Sequence, residues 1–217
     1  MDYQRLYEYR FRDVPQAARE QVWREIAQYI YDRLERPQRV IDPAAGRGEF
    51  INNVPATERW AVDQIAYAEG TYQPGIKTIV SDVLETELPS AYFDGVFVSN
   101  FLEHLPSQEA VARFLERMHY VVKPGGRIAI MGPNFRFCAD EYFDMADHTL
   151  PLTDRAIGEH LYAARFQPEL VHARFLPYSF TGRLPASARM AKYYLRAPAA
   201  WRMLGKQFLV IGRRGSS

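Results

Sequence analysis

A short apolar run, Arg39-Val40-Ile41-Asp42, ends in an acid and leads directly into Pro43-Ala44-Ala45-Gly46-Arg47-Gly48, after which Glu49-Phe50-Ile51 opens a helix. No other feature restricts the fold as much. Such a strand needs a sheet around it, and glycine permits positive φ and lets the backbone approach a ligand closely. The start of the following helix offers free N–H groups. Strand, glycine bend and helix in this order is how open α/β sheets cradle a nucleotide. Alone, the same order is also an ordinary turn after a strand.

The surroundings repeat the pattern. Trp60-Ala61-Val62-Asp63, Thr78-Ile79-Val80-Ser81-Asp82 and Gly95-Val96-Phe97-Val98-Ser99-Asn100 are further apolar runs of strand length, each ending in a polar side chain. Upstream, Val22, Ile26, Tyr29, Ile30 and Leu34 put an apolar stripe on a helix within 14–36 that Pro37 ends. Ser107 caps a helix carrying Val111, Phe114, Leu115 and Met118, and Lys123-Pro124-Gly125-Gly126 turns the chain into a fifth strand, Arg127 to Met131. Thr153-Asp154 caps a helix reaching about Arg165, and Val171 to Leu176 and Gln207 to Ile211 read as strands six and seven. Alternating strands and helices closed by a strand pair predict an α/β doubly wound sheet. The expected organisation is one domain over 1–217, with a helical cap at 1–36 and an insertion at 177–205 before the last strand. The loop from Pro133 to Leu152 is long for a connector and is a candidate wall of a site.

Composition narrows the class. With 47% apolar and 24% charged residues the chain is neither disordered nor fibrous, and 14 Tyr, 13 Phe and 3 Trp are enough for some to line a cavity. Cys138 is the single cysteine, so no internal disulfide forms and a reducing compartment fits. No apolar run is long enough to span a membrane, and the first ten residues do not read as a secretory signal, so a cytoplasmic location is expected. Residues 177 to 217 hold 8 basic residues and no acid, leaving a net charge of −7 on the rest. That tail either meets an anionic partner or neutralises its own body.

Asp63, at the tip of the strand after the glycine bend, suits an acid that accepts hydrogen bonds from both ribose hydroxyls of an adenosine-containing ligand. Asp82, at the tip of the third strand, fits the exocyclic amine of adenine, with Val83 or Leu84 against the ring; it also reads as a turn-initiating acid. A dinucleotide fingerprint is missing, because Ile51 stands where G-x-G-x-x-G needs its third glycine, and no Gly-Lys-Ser/Thr follows the bend. A nucleoside cofactor without phosphates fits best.

Residues 37 to 135 resemble the class I S-adenosylmethionine-dependent methyltransferases of the type 11-like group. The resemblance lies in Val40 to Gly48, Ala61-Val62-Asp63, Ser81-Asp82-Val83, Phe93 to Leu105 and Val121 to Arg127. It implies a Rossmann-like sheet of seven strands whose last is antiparallel between strands five and six. It also implies S-adenosylmethionine as cofactor, bound by Asp42, Ala44, Gly46, Gly48, Phe50, Asp63, Gln64, Asp82, Val83, Asn100 and Phe101. Ala44 occupies the position of the family's first glycine, which requires its backbone to stay at negative φ.

His104 follows the fourth strand, near where the resemblance puts the methyl group, and is the first candidate base; ordering the loop is its other reading. Asp147 and His148 are the second, inside the acid-rich stretch Asp140 to His148, which otherwise reads as a solvated loop; no metal site is expected. Asn134, Phe135, Arg136 and Tyr142 are candidate acceptor walls by position. Tyr3, Tyr7, Tyr9, Arg10 and Phe11 belong to a segment that commonly folds over the pocket in this family; a frayed terminus is its other reading. The stretch from Tyr178 to Leu204 interleaves aromatics with cations and is either an interfacial grip on an anionic or lipid-linked substrate or a packed lid or dimer surface. The tail, Arg174 to Tyr178 and Lys206 to Val210, resembles methyltransferases of bacterial polysaccharide and glycolipid pathways. The expected function is methylation of a small molecule or glycan, chiefly at oxygen of a sugar-containing acceptor. The alternatives are a natural-product methyltransferase and a non-catalytic S-adenosylmethionine-binding subunit. The acidic body and the lack of a recognition domain argue against nucleic acid as a partner.

Overall fold

The computed structural model describes residues 2–12, 15–68, 70–178 and 187–215. Helices α1 (Tyr3–Phe11) and α2 (Gln16–Arg33) precede strand β1 (Arg39–Asp42). Then come β2 (Glu58–Asp63), β3 (Ile76–Val80), β4 (Phe93–Ser99), α3 (Gln108–Val121), β5 (Val122–Pro133) and the single turn α4 (Phe135–Cys138). The chain continues through α5 (Asp154–Ala163), β6 (Phe166–His172), α6 (Ala188–Leu195), α7 (Pro198–Leu204) and β7 (Gln207–Arg214). The 7-stranded sheet has the order β3-β2-β1-β4-β5-β7-β6, with β7 antiparallel to both neighbours. The doubly wound, Rossmann-like sheet is therefore present as expected. Strand order reverses between β1 and β4, which pair in parallel, and this opens a crevice beyond their carboxyl ends.

Burial explains why the central strands read as unbroken apolar runs. Val40, Ile41, Val96, Phe97 and Val98 are covered on both faces of the sheet. One face packs against α3 and α5 through Val111, Phe114, Leu115, Met118, Ile157 and Leu161. The other packs against α2, α6 and α7 through Val22, Trp23, Ile26, Ile30, Leu195 and Trp201. The sequence-read caps hold: Ser107 Oγ accepts from Ala110 N at 3.2 Å, and Thr153 Oγ1 from Ala156 N at 3.1 Å.

Three local expectations change. After the glycine bend no helix forms; residues 49–53 are a run of turns, with Val54 N bonded to Phe50 O at 2.9 Å. The side chain of Asn52 bonds instead to Thr71 O and Gln73 N, and Pro55 cannot extend a helix. Strand six is Phe166–His172, with a register shift between Pro168 and Leu170, while Phe175 and Leu176 fill the core beneath α2 and α7. A proline disguised this strand, which tolerates one because it lies at the sheet edge beside a bulge. Pro198 separates α6 from α7, as expected, at the N-terminal end of α7; Val14 and positions 179–186 of the insertion lie outside the described residues. No described helix is long and apolar enough to cross a membrane.

Candidate functional site

A cavity of about 590 Å³ occupies the crevice at the carboxyl ends of β1, β2 and β4, with Tyr3, Tyr7 and Arg10 of α1 on its wall. The bend after β1 forms one side. Gly46 and Gly48 have φ of +54° and +78°, and a Cβ on Gly48 would lie 2.6 Å from Asn52 Nδ2. Gly46 N donates to Asp63 Oδ2 at 2.8 Å, Ile65 N donates to Asp63 Oδ1 at 2.9 Å, and Tyr72 OH donates to Gly46 O at 2.8 Å. The bend and the tip of β2 thus hold each other in place. Burial drives the Asp42 carboxyl well above the usual carboxylate range; it raises Asp63 too, opposed by the N–H groups of Ile65 and Gly46. Ala44 lines the cavity and avoids the left-handed region, whose described non-glycine occupants are Glu35, Arg36, Ala91, Asn100 and Arg165. Its methyl group is accommodated on the condition the sequence set.

Phe50, Gln64, Asp82, Asn100 and Phe101 also line the cavity. Asn100 is held at φ +48° while its N–H donates to Met131 O at 2.9 Å, a strained position facing the cavity. Asp82 Oδ1 accepts from Leu84 N at 2.8 Å, so it initiates a turn as well as facing the cavity. Val83 is the exception: its side chain is buried in the core, and Leu84 stands on the wall. Gly48 shapes the bend without lining the cavity.

At the other end the wall is formed by Glu103, His104, Met145, His148 and Tyr178. His104 Nδ1 lies 2.9 Å from Asp147 O; a carbonyl only accepts, so Nδ1 carries a proton and Nε2 is the ring nitrogen left to face the cavity end. The Asp147 side chain sits behind His104, paired with Arg10, and is not on the wall. Burial opposes its ionisation, but the Arg10 guanidinium hydrogen-bonded to it holds its carboxyl below the usual range. His148 packs 5.0 Å from the His104 ring and 4.8 Å from Tyr142, centroid to centroid, and burial pulls it down to about 4, so it is neutral at pH 7. Glu103 is buried, its Oε1 has no hydrogen-bond partner, and burial raises its carboxyl. Sequence reasoning missed it; the available signal was an acid inside the apolar block Phe101 to Leu105.

The four residues read as acceptor walls by position do other work. Asn134 is fully buried, donating to Asp154 Oδ1 and Ala173 O at 2.8 Å each, and Arg136 pairs with Asp154 at 2.9 Å. Tyr142 OH donates to Leu150 O at 2.5 Å, and Phe135 packs on its ring. All four brace the loop from behind.

Residues 42–130 match the family model described as a methyltransferase domain. No curated protein is matched by the sequence. Among solved structures, the chain is similar to a SAM-dependent methyltransferase from Archaeoglobus fulgidus, with TM-score 0.68 and 22% identity over 98% of this chain and 100% of that one. It is similar to 1,6-didemethyltoxoflavin-N1-methyltransferase of Burkholderia thailandensis, solved with 1,6-didemethyltoxoflavin and S-adenosylhomocysteine, with TM-score 0.61 and 21% identity over 99% and 89%. It is also similar to geranyl diphosphate C-methyltransferase of Streptomyces coelicolor A3(2), solved with Mg2+, geranyl diphosphate and S-adenosylhomocysteine, with TM-score 0.60 and 13% identity over 87% and 77%. Those two named acceptors are chemically unlike, so the likeness speaks to the fold and not to what this chain methylates. The match over residues 42–130 is to a methyltransferase domain, and the strand order of the sheet and the likeness to these solved structures make the chain similar in fold to S-adenosylmethionine-dependent methyltransferases.

Proposed function

We propose that this chain methylates an oxygen of a small polar acceptor, a sugar-containing molecule first among them. The observation that carries the reading is the convergence of Glu103, His104 and His148 at one end of a cavity whose other end is the Asp63 and Gly46 bend. S-adenosylmethionine, when bound, supplies an electrophilic methyl group on a positively charged sulfur. Asp63 would hold its ribose through the lone pairs left after accepting from Gly46 and Ile65, Asp82 and Leu84 would face the adenine, and the Asp42 and Ala44 segment would meet the methionine portion. The mutual bracing of bend and acid and the absence of room for a side chain at Gly48 fit such an occupant.

At the acceptor end, a hydroxyl must give up its proton, and the Glu103, His104 and His148 cluster is what promotes that loss. Asp147 is a positioning residue: its carbonyl fixes the His104 tautomer, and its carboxylate keeps Arg10 of α1 against the cavity. Alignment of acceptor and methyl supplies about 7–11 kcal/mol, while proton handling contributes roughly 10²–10⁴-fold. His104→Ala is therefore expected to lower turnover by about 10²-fold or more and to leave S-adenosylhomocysteine affinity nearly intact. The test is a panel of free and nucleotide-linked sugars, phenols and N-heterocycles, scored by S-adenosylhomocysteine release. Turnover with hydroxylated acceptors that His104→Ala abolishes supports the reading. Turnover with N-heterocycles alone contradicts it, and cofactor binding without turnover would assign a non-catalytic subunit.

A further inference from the structure

Glu103 is 2% exposed and its Oε1 accepts no hydrogen bond, although it borders the cavity. A buried carboxylate in that state is unstable unless it is protonated or meets a cation. The adjacent guanidinium, that of Arg10, is bonded to Asp147. Two imidazoles stand within reach of Glu103 on the same wall. His104 offers Nε2, because Nδ1 donates to the Asp147 carbonyl, and the His148 ring lies 5.0 Å from it, centroid to centroid. One ligand atom from each of Glu103, His104 and His148 lies within 4.8 Å of the other two.

We propose that Glu103, His104 and His148 form a site for a divalent transition-metal ion at the acceptor end of the cavity. Two imidazoles and one carboxylate give a nitrogen-rich set with a single negative charge, which suits Zn2+, Fe2+, Co2+ or Mn2+ better than Ca2+ or Mg2+, whose ligands are oxygens. Ligand–metal bonds of about 2.0–2.2 Å place opposite ligands roughly 4 Å apart, so small side-chain rotations close the site. The hydrogen bond from His104 to Asp147 is the kind that fixes the tautomer and tilt of a ligating imidazole. Two acids of the 140–148 stretch are engaged elsewhere: Glu141 pairs with Lys206 and Asp147 with Arg10.

Three protein ligands leave coordination positions open, and an acceptor with two neighbouring oxygens, such as a vicinal diol, fills them. The metal lowers the pKa of the bound hydroxyl. Its proton passes to water, the oxygen's electron pair forms the new bond to the methyl carbon, and the electrons of the broken C–S bond stay on sulfur. The inference rests on the proposed reading of this end as the acceptor site and names how the cluster handles the proton.

The test adds Co2+ to the full-length protein after EDTA treatment, followed by calorimetry and visible absorption, with S-adenosylhomocysteine titrated separately without metal. One equivalent of Co2+ should bind, with affinity lowered about tenfold or more in Glu103→Gln and in His148→Ala. Should a variant fail to fold, hyperfine-shifted N–H resonances from two imidazoles in the wild-type Co2+ protein are expected in its place. S-adenosylhomocysteine binding without saturable Co2+ binding overturns the metal site and leaves the methyltransferase reading standing. Co2+ binding that neither substitution alters, or a wild-type spectrum without imidazole resonances, also overturns it. Loss of both ligands in the wild type overturns both readings.

Discussion

Two residues, one in the bend beside the cavity and one on its wall, carry their burden in opposite ways. Gly48 sits at φ +78° with Asn52 Nδ2 2.6 Å from where a Cβ would be. Gly48→Ala should lose about 1–2 kcal/mol of stability to the left-handed backbone and weaken S-adenosylhomocysteine as the bend shifts, measured by urea unfolding and calorimetry. His148 titrates near 4 in the fold against about 6.5 in an unfolded chain, so the unfolded state binds more protons between those values. Stability is then fullest above about pH 6.5 and declines as pH falls toward 4. Unfolding free energies across that window should slope less in His148→Gln than in the wild type; equal slopes would mean the histidine is not held neutral. At this scale the sequence was legible where a residue's chemistry was tied to a strand tip, as with Asp42, Asp63 and Asp82. It was not where one residue of rotation decides, as between Val83 and Leu84, nor where an acid is buried against its own tendency, as with Glu103.

Among elements, α3 shows how a periodic stripe becomes structure. Val111, Phe114, Leu115 and Met118 recur at helical spacing and are all fully buried against the sheet. Phe114, which also packs 5.3 Å from the Phe101 ring at the cavity, should cost about 3–5 kcal/mol when replaced by Ala, read from urea denaturation. A loss under 1 kcal/mol would place that face outside the cooperative core. Strands with both faces covered, β1, β4 and β5, announce themselves as apolar runs. The edge strand β6 does not, since Pro168 interrupts it and its polar residues break any apolar run. The turns at 49–53 misled for a related reason: a glycine bend raises the expectation of a helix, and the Asn52 side chain acts through partners distant in sequence.

Over the whole molecule, the basic tail divides between the two readings the sequence left open. Lys206 pairs with Glu141, Arg213 approaches Glu169 at 3.8 Å, and Arg214 donates to the carbonyls of His119 and Val122, so these cations neutralise or brace the body. Arg189, Lys192, Arg196 and Arg202 on α6 and α7 face outward, beside Tyr193 and Met203, which are 60% and 76% exposed. No local pattern distinguishes these two sets, because the partners Glu141, Glu169, His119 and Val122 are supplied by the assembled fold. The fold class was legible from local repeats; of the far end of the cavity His104 and His148 were legible by position, while the assembly was not, because it joins Arg10 of α1, Glu103 and His104 after β4, and His148 of the loop beyond β5.

The central claim, that the Asp63 tip and the Gly46 bend grip an adenosine bearing a sulfonium, is tested most directly by calorimetric titration of S-adenosylhomocysteine into the wild type and Asp63→Ala. One equivalent should bind the wild type, and removing the carboxylate should weaken it by about 10- to 100-fold, the worth of hydrogen bonds to a charged acceptor. Heat indistinguishable from dilution in the wild type, or equal affinity in the variant, would contradict it.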